Sequence, residues 1–170
     1  AEKGDSDSML NLGMLYETGK GVGQIDISKA AELYEKAANK GDTDAQVKLA
    51  ILYEKGEVPG KTVKEAVSLY QKAAECENAD AQFNLATMYE NGEGVERDES
   101  KVVEWYSKSA ENGNSDAQFN LAVLYHNGQF GLDEDCAKAF EYYKRSADAG
   151  NATAYYNMAV MLFNGDVNID

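Results

Sequence analysis

The stretch Ala117-Gln-Phe-Asn-Leu-Ala-Val-Leu-Tyr125, closed by Asn127-Gly128, decides the fold because it recurs at a fixed interval. Thirty-six residues earlier stands Ala81-Gln-Phe-Asn-Leu-Ala-Thr-Met-Tyr89, with Asn91-Gly92 behind it. Ala45-Gln-Val-Lys-Leu-Ala-Ile-Leu-Tyr53 and Ser8-Met-Leu-Asn-Leu-Gly-Met-Leu-Tyr16 are earlier copies, and Ala154-Tyr-Tyr-Asn-Met-Ala-Val-Met-Leu162 is a later one. Self-similarity at such a period marks a stacked-repeat architecture and is read before any motif.

Within each copy the apolar positions return at helical spacing, as in Leu85, Ala86, Met88 and Tyr89. A second run follows: Ala30…Tyr34…Ala37, Ala66…Tyr70…Ala73, Val102…Tyr106…Ser109 and Ala139…Tyr143…Ser146. Small residues let two helix axes approach, and the tyrosine fills the groove beside them as core. The units therefore read as helix pairs with boundaries 1–37, 38–73, 74–109, 110–146 and a partial 147–170. Thr43 with Gln46 and Ser115 with Gln118 fit a capping box for the first helix of a pair, and Ser6 stands as the cap of unit one. Asp26, Thr62, Asp98 and Asp135 are the expected N-caps of the second helix. Gly19, Gly56, Gly92, Gly128 and Gly165 are expected to end the first helices. No strand pattern appears, so the fold class is all-α.

Thirty acids against sixteen bases give a net charge of −14. Phosphate backbones and anionic bilayers require clustered lysine and arginine, so neither nucleic acid nor a membrane surface is a fitting partner. No apolar run reaches membrane-spanning length. A basic protein or peptide is the electrostatic complement. Cys76 and Cys136 occupy non-equivalent places and are expected to be buried or half-buried thiols, a slight lean toward a reducing, cytoplasmic compartment. The chain opens mid-pattern without Met, which reads as an excised segment.

The series Ala-x-x-Gly-x-x-x-Ala-Gln-x-x-Leu-Ala-x-x-Tyr-x-x-Gly-x-Gly-Val, followed by Lys-Ala-x-x-x-Tyr-x-Lys-Ala, closely resembles the Sel-one-like repeat family, relatives of the tetratricopeptide repeats. Departures are local: Pro59 and a shortened loop in unit two, Cys76-Glu77 where Lys-Gly is the pattern, and Leu162 at a tyrosine position. The resemblance implies a right-handed α/α superhelical solenoid acting as a protein–protein interaction scaffold, with the first helices lining its concave face. It also implies that the residue before each Leu-Ala pair points into that groove: Asn11, Lys48, Asn84, Asn120 and Asn157. An amide donates and accepts at once, which suits it to an extended peptide backbone. Phe83, Phe119 and Tyr156, one residue earlier, would form an aromatic ladder of apolar anchors, while Thr87 and Val123 share the groove one turn on. The same asparagines could instead bond to a neighbouring helix, and the aromatics could be core. Asp44, Asp80, Asp116, Glu54 and Glu90 would give the groove a negative rim.

Catalytic chemistry finds little footing. His126 is the sole histidine and stands where Glu17, Glu54 and Glu90 stand in other units, as a surface substitution. Two cysteines and one histidine lack the spacing of a zinc site, and no cofactor motif is present. Gly19-Lys-Gly-Val-Gly23 follows a helix rather than a strand, so it is a loop and no phosphate cradle. The alternative function is a β-lactamase-like or penicillin-binding hydrolase, as described for cysteine-rich relatives. This chain has no Ser-x-x-Lys and no cysteine pair per unit. A further expectation is self-association through apolar array ends, with Met158, Met161 and Leu162 bare at the C-terminal one.

Overall fold

A computed structural model describes residues 2–167, with side chains from Asp5 onward. Residue 1 and residues 168–170, the outermost ends of units one and five, lie outside the described residues. The described chain is helical throughout its regular structure: α1 (Glu2–Thr18), α2 (Ile27–Asn39), α3 (Thr43–Glu54), α4 (Val63–Glu75), α5 (Ala79–Asn91), α6 (Glu99–Glu111), α7 (Ser115–Asn127), α8 (Cys136–Asp148) and α9 (Ala152–Asn164). The substantial packing runs between chain neighbours, from α1 on α2 through to α8 on α9. Odd-numbered helices are the A helices of the repeat and even-numbered ones the B helices. Because each unit buries its apolar face only against the next, stability is a property of the stack.

The core is one layer between the A and B helices. Tyr34, Tyr70, Tyr106 and Tyr143 are fully buried along their rings, together with Leu52, Leu85, Leu121 and Met161 from the A helices. At the third small position of a B helix, units three and four carry serine. Its buried hydroxyl is satisfied across the pair: Ser109 Oγ donates to Ala79 O at 2.7 Å and Ser146 Oγ to Ser115 O at 2.8 Å.

Asp26, Asp98 and Asp135 cap the B helices, each accepting from the amide three residues on. At Thr62 the Glu65 carboxylate reaches back to the Thr62 amide at 3.0 Å, the reciprocal half of a capping box. The A helices differ from expectation. Their N-caps are Asp42, Asn78, Asn114 and Asn151, one residue before the Thr43 and Ser115 positions. Gln46, Gln82 and Gln118 close no box. Each Nε2 donates to a carbonyl at the C-terminus of the preceding B helix: Ala38 at 3.3 Å, Ala74 at 3.0 Å and Ala110 at 3.0 Å. The short Asx side chain fits the adjacent amide, whereas glutamine has the reach to serve terminal carbonyls that lack a helical donor. Ser6 is likewise no cap: α1 begins a turn earlier, and Ser6 is buried within it.

Asparagine at the A-helix cap does a second job. While Asn78 Oδ1 accepts from Ala81 N, its Nδ2 donates to Asp44 Oδ1 at 2.8 Å on the preceding A helix. Asn114 repeats this with Asp80 at 2.8 Å. The turn before each A helix needs a left-handed residue, supplied by Gly41, Gly113 and Gly150 but in unit three by Glu77, at φ 63°.

Two further expectations are corrected. Cys76 is exposed, because it occupies the solvent-facing C-cap of α4, while Cys136 is half-buried. Met161 is fully buried against α8 rather than bare, since it takes the place of Leu52, Met88 and Leu124 in the core layer; the exposed large apolar side chains of α9 are Tyr155, Tyr156, Leu162 and Phe163.

Candidate functional site

Consecutive A helices share one side of the stack, and the B-helix tyrosines show how closely they meet there. Tyr106 Oη, at the tip of a buried ring on α6, donates to Glu90 Oε2 on α5 at 2.7 Å and lies 3.3 Å from Thr87 Oγ1. The Asn120 side chain of α7 acts on the same hydroxyl and lowers its pKa. One phenol therefore meets the influence of two successive A helices. Tyr70 Oη donates to Glu54 Oε2 at 2.8 Å, and Tyr34 Oη donates to Glu17 Oε2 at 2.5 Å. In unit four the carboxylate is replaced by His126, whose ring stands edge-on to Tyr143 at 6.4 Å. The Asn157 side chain of α9 acts on the Tyr143 hydroxyl, lowering its pKa.

Burial is the foremost cause that raises these phenols. Tyr34 and Tyr70 are driven well above the usual range, with Glu17 and Glu54 adding to the effect. Tyr106 is pushed up to about 12 by burial, with the Thr87 and Asn120 hydrogen bonds opposing. Tyr143 also rises through burial, against the pull of Asn157. The hydroxyls thus remain protonated donors and hold one oxygen of each neighbouring glutamate in place.

The expected binding residues fall along this side. Asn11 is exposed, and Lys48, Asn84, Asn120 and Asn157 are half-buried at equivalent positions of successive A helices. Thr87 and Val123 are half-buried one turn further along. The aromatics do not form a ladder with one another. Phe83 packs on Tyr106 of its own unit, with ring centroids 5.7 Å apart, and Phe119 on Tyr143 at 5.5 Å. Tyr156, with no B helix after it among the described residues, is 69% exposed. Sequence reading missed the Tyr–Glu pairs. Their signal is the nearly fixed offset between the two residue types, 16 residues from Glu54 to Tyr70 and Glu90 to Tyr106 and 17 from Glu17 to Tyr34.

Charge is distributed unevenly. The ion pairs among the described residues involve Glu32, Glu65, Glu99, Glu104, Glu111, Asp5, Asp98 and Asp135, and none involves Glu17, Glu54 or Glu90. On the opposite edge, lysines near the start of each B helix lie over the last-turn tyrosine of the A helix: Lys29 on Tyr16 at 4.5 Å, Lys101 on Tyr89 at 4.6 Å and Lys138 on Tyr125 at 5.0 Å. In unit two, Glu65 occupies that lysine position, and Lys61 reaches Tyr53 from the loop at 5.2 Å. Among the described residues no cluster of histidine, cysteine or carboxylate groups could hold a metal ion. No described helix is long and apolar enough to cross a membrane.

The Sel1 repeat model matches this chain five times, over residues 6–42, 43–78, 79–114, 115–151 and 152–170. The chain belongs to the Sel1 repeat family. Among solved structures, a Sel1 repeat protein from Oxalobacter formigenes superposes with a TM-score of 0.83 at 29% identity, covering 92% of this chain and 63% of that one. A protective antigen of uropathogenic Escherichia coli strains with the same fold gives a TM-score of 0.86 at 32% identity, covering 97% of this chain and 35% of that one. This Sel1 array therefore spans less than two thirds of either relative's length. An immunity protein from Pseudomonas aeruginosa shares the fold, with a TM-score of 0.65 at 24% identity over 92% of this chain and 57% of that one. Among curated proteins nothing matches this chain. Sel1 repeats form all-α solenoids that serve generally as protein–protein interaction scaffolds and are typically non-enzymatic.

Proposed function

We propose that this Sel1 array is a non-enzymatic scaffold that holds an extended, basic segment of a partner protein along its A-helix face. The observation that carries this reading is the row of tyrosine-anchored carboxylates, Glu17, Glu54 and Glu90, which pair with no cation among the described residues. Asn11, Lys48, Asn84, Asn120 and Asn157 supply a parallel row able to grip a peptide backbone, with Thr87 and Val123 beside it. The half-buried rings of Phe83 and Phe119 border the groove, and Tyr156 extends it. Asn120 and Asn157, which act on the core tyrosines, are poor probes, because losing them perturbs the stack. Glutamate-to-glutamine changes keep the acceptor for the tyrosine and remove only charge. In an immobilised peptide array, lysine- and arginine-containing sequences should bind, and Glu54→Gln with Glu90→Gln should reduce that binding at least fivefold with the thermal melt unchanged. Equal binding by the double variant sinks the proposal.

The exposed ends favour a second mode, self-association. Leu12, Met14 and Leu15 of α1 are about two-fifths exposed, and Phe163 of α9 is 92% exposed. Light scattering should show concentration-dependent oligomers that Tyr156→Ser with Phe163→Ser suppresses; a monomer at all concentrations rejects this mode.

A further inference from the structure

We propose that the seam between α4 and α6, on the B-helix side, is a docking site for an arginine side chain of a partner protein, stacked on Trp105 and paired with Glu75. The template is the next seam along. There Arg145 of α8 donates through Nη1 to Glu111 Oε1 at 2.8 Å and through Nη2 to Ala110 O at 2.9 Å. Its guanidinium carbon lies 5.2 Å from the centre of the Tyr142 ring. Ala110 O thus accepts Arg145 and Gln118 Nε2 in addition to the Gly113 backbone amide at 3.2 Å.

One unit back, every receiving group has its counterpart. Glu75 stands for Glu111, Ala74 for Ala110, Trp105 for Tyr142 and Gln82 for Gln118. Ala74 O takes the Gln82 side-chain amide at 3.0 Å and the Glu77 backbone amide at 3.1 Å, the same two donors that Ala110 O carries alongside Arg145 next door. The difference is Lys108, in the position of Arg145. Its ammonium pairs with Glu104 at 2.6 Å and lies over the Trp105 ring at 4.2 Å, away from Glu75. A single ammonium cannot fork between a carboxylate and a carbonyl while lying flat on a ring, as a guanidinium does. The result is a cavity of about 590 Å³, lined by Ala74, Glu75, Glu77, Trp105 and Lys108 among others.

Charge fits the same occupant. Among the described residues neither Glu75 nor Glu77 makes an ion pair. Glu77 sets a carboxylate at the cavity edge in a left-handed backbone conformation that glycine holds at the other junctions. The seam before it has Leu69 and Asn39 in place of Trp105 and Glu75, so neither ring nor carboxylate is available there.

Trp105 is the only tryptophan, so its indole N–H gives a single reporter cross-peak in a nitrogen–proton spectrum. Titration with N-acetyl-arginine methylamide should shift that peak saturably, with a dissociation constant on the order of millimolar for one side chain. The uncharged citrulline analogue should not shift it. Glu75→Gln should weaken the response by about fivefold or more, the factor expected for loss of a charge pair worth ~1 kcal/mol. Lys108→Arg should place a guanidinium in the slot in cis, abolish the response and raise the melting temperature. A linear, unsaturable drift, an equal response to citrulline, or unchanged binding by either variant overturns the proposal. Both positions are exposed, and matching circular dichroism spectra establish that the variants fold.

Discussion

Replacing Ala149 by asparagine should stabilise the protein, because a buried carbonyl in the adjoining seam lacks a donor. In unit three Gln82 is satisfied at both ends: Nε2 donates to Ala74 O, and Oε1 accepts from Asn112 Nδ2 at 2.9 Å. Gln46 Oε1 and Gln118 Oε1 are buried without a partner. The residues equivalent to Asn112 are Cys76 beside Gln46 and Ala149 beside Gln118. All three are helix C-caps with nearly the same backbone: φ −80°, ψ 7° at Asn112, φ −83°, ψ 2° at Ala149 and φ −93°, ψ 22° at Cys76. An asparagine at 149 thus starts from the geometry that already works at 112, and Gly150 follows it as Gly113 follows Asn112. An orphaned buried acceptor costs ~1–3 kcal/mol, and a hydrogen bond returns a net ~0.5–1.5 kcal/mol. For a chain of this length that corresponds to a rise of about 2–5 °C in Tm. Asn112→Ala should do the reverse. Urea unfolding followed at 222 nm measures both, with the denaturant slope expected to stay constant. Gln118→Met removes the acceptor and should cancel the gain from Ala149→Asn in a double-mutant cycle. A neutral or destabilising Ala149→Asn, or a gain that survives Gln118→Met, refutes the reasoning.

Alkaline titration should reveal the buried phenols. Their folded-state pKa values lie above the unfolded value near 10, so the stability they contribute is complete below pH ~10 and is lost as pH rises, through about 12 for Tyr106 and higher still for Tyr34 and Tyr70. Tyrosinate absorbance should therefore rise in two stages, the second coinciding with loss of helicity; a single stage near pH 10 with the fold intact contradicts this. Gly13→Ala gains helix propensity worth ~1 kcal/mol, yet the new methyl would lie 2.5 Å from Tyr34 Cε1, so a net loss of about 1–3 kcal/mol is expected in thermal melts. Met161→Gln should melt the last helix, seen as lost amide protection in α9, because Met161 is fully buried. Unchanged protection there would place Met161 outside the core.

The period, the helix pairs and the B-helix tyrosine core were legible in the sequence because they repeat, and repetition is visible without coordinates. The N-caps were misread because Thr43-x-x-Gln46 satisfies a local pattern while the glutamine's partner, Ala38 O, lies on another helix. Local spacing carries no information about that carbonyl. The aromatic row was misread for a related reason. Phe83 and Phe119 align with Tyr156 in sequence, yet the first two are covered by their own B helices and the last is not. Equivalence in sequence guarantees equivalent backbone position, and burial depends on which neighbour is present.

That distinction also explains why the substitutions that break the repeat are the informative ones. Residues identical in every unit, such as the four B-helix tyrosines, maintain the stack and are constrained by it. His126 in a row of glutamates changes the charge of one segment of the A-helix face while its ring stands edge-on to Tyr143 of the core layer. Trp105 in place of a leucine, and Glu77 in place of a glycine, change one seam on the other side. A solenoid adds its seam energies nearly independently, so such a change alters one local surface at a cost confined to one interface. Recognition in this chain is therefore sought where a unit departs from its neighbours, at positions whose counterparts show what the framework alone requires.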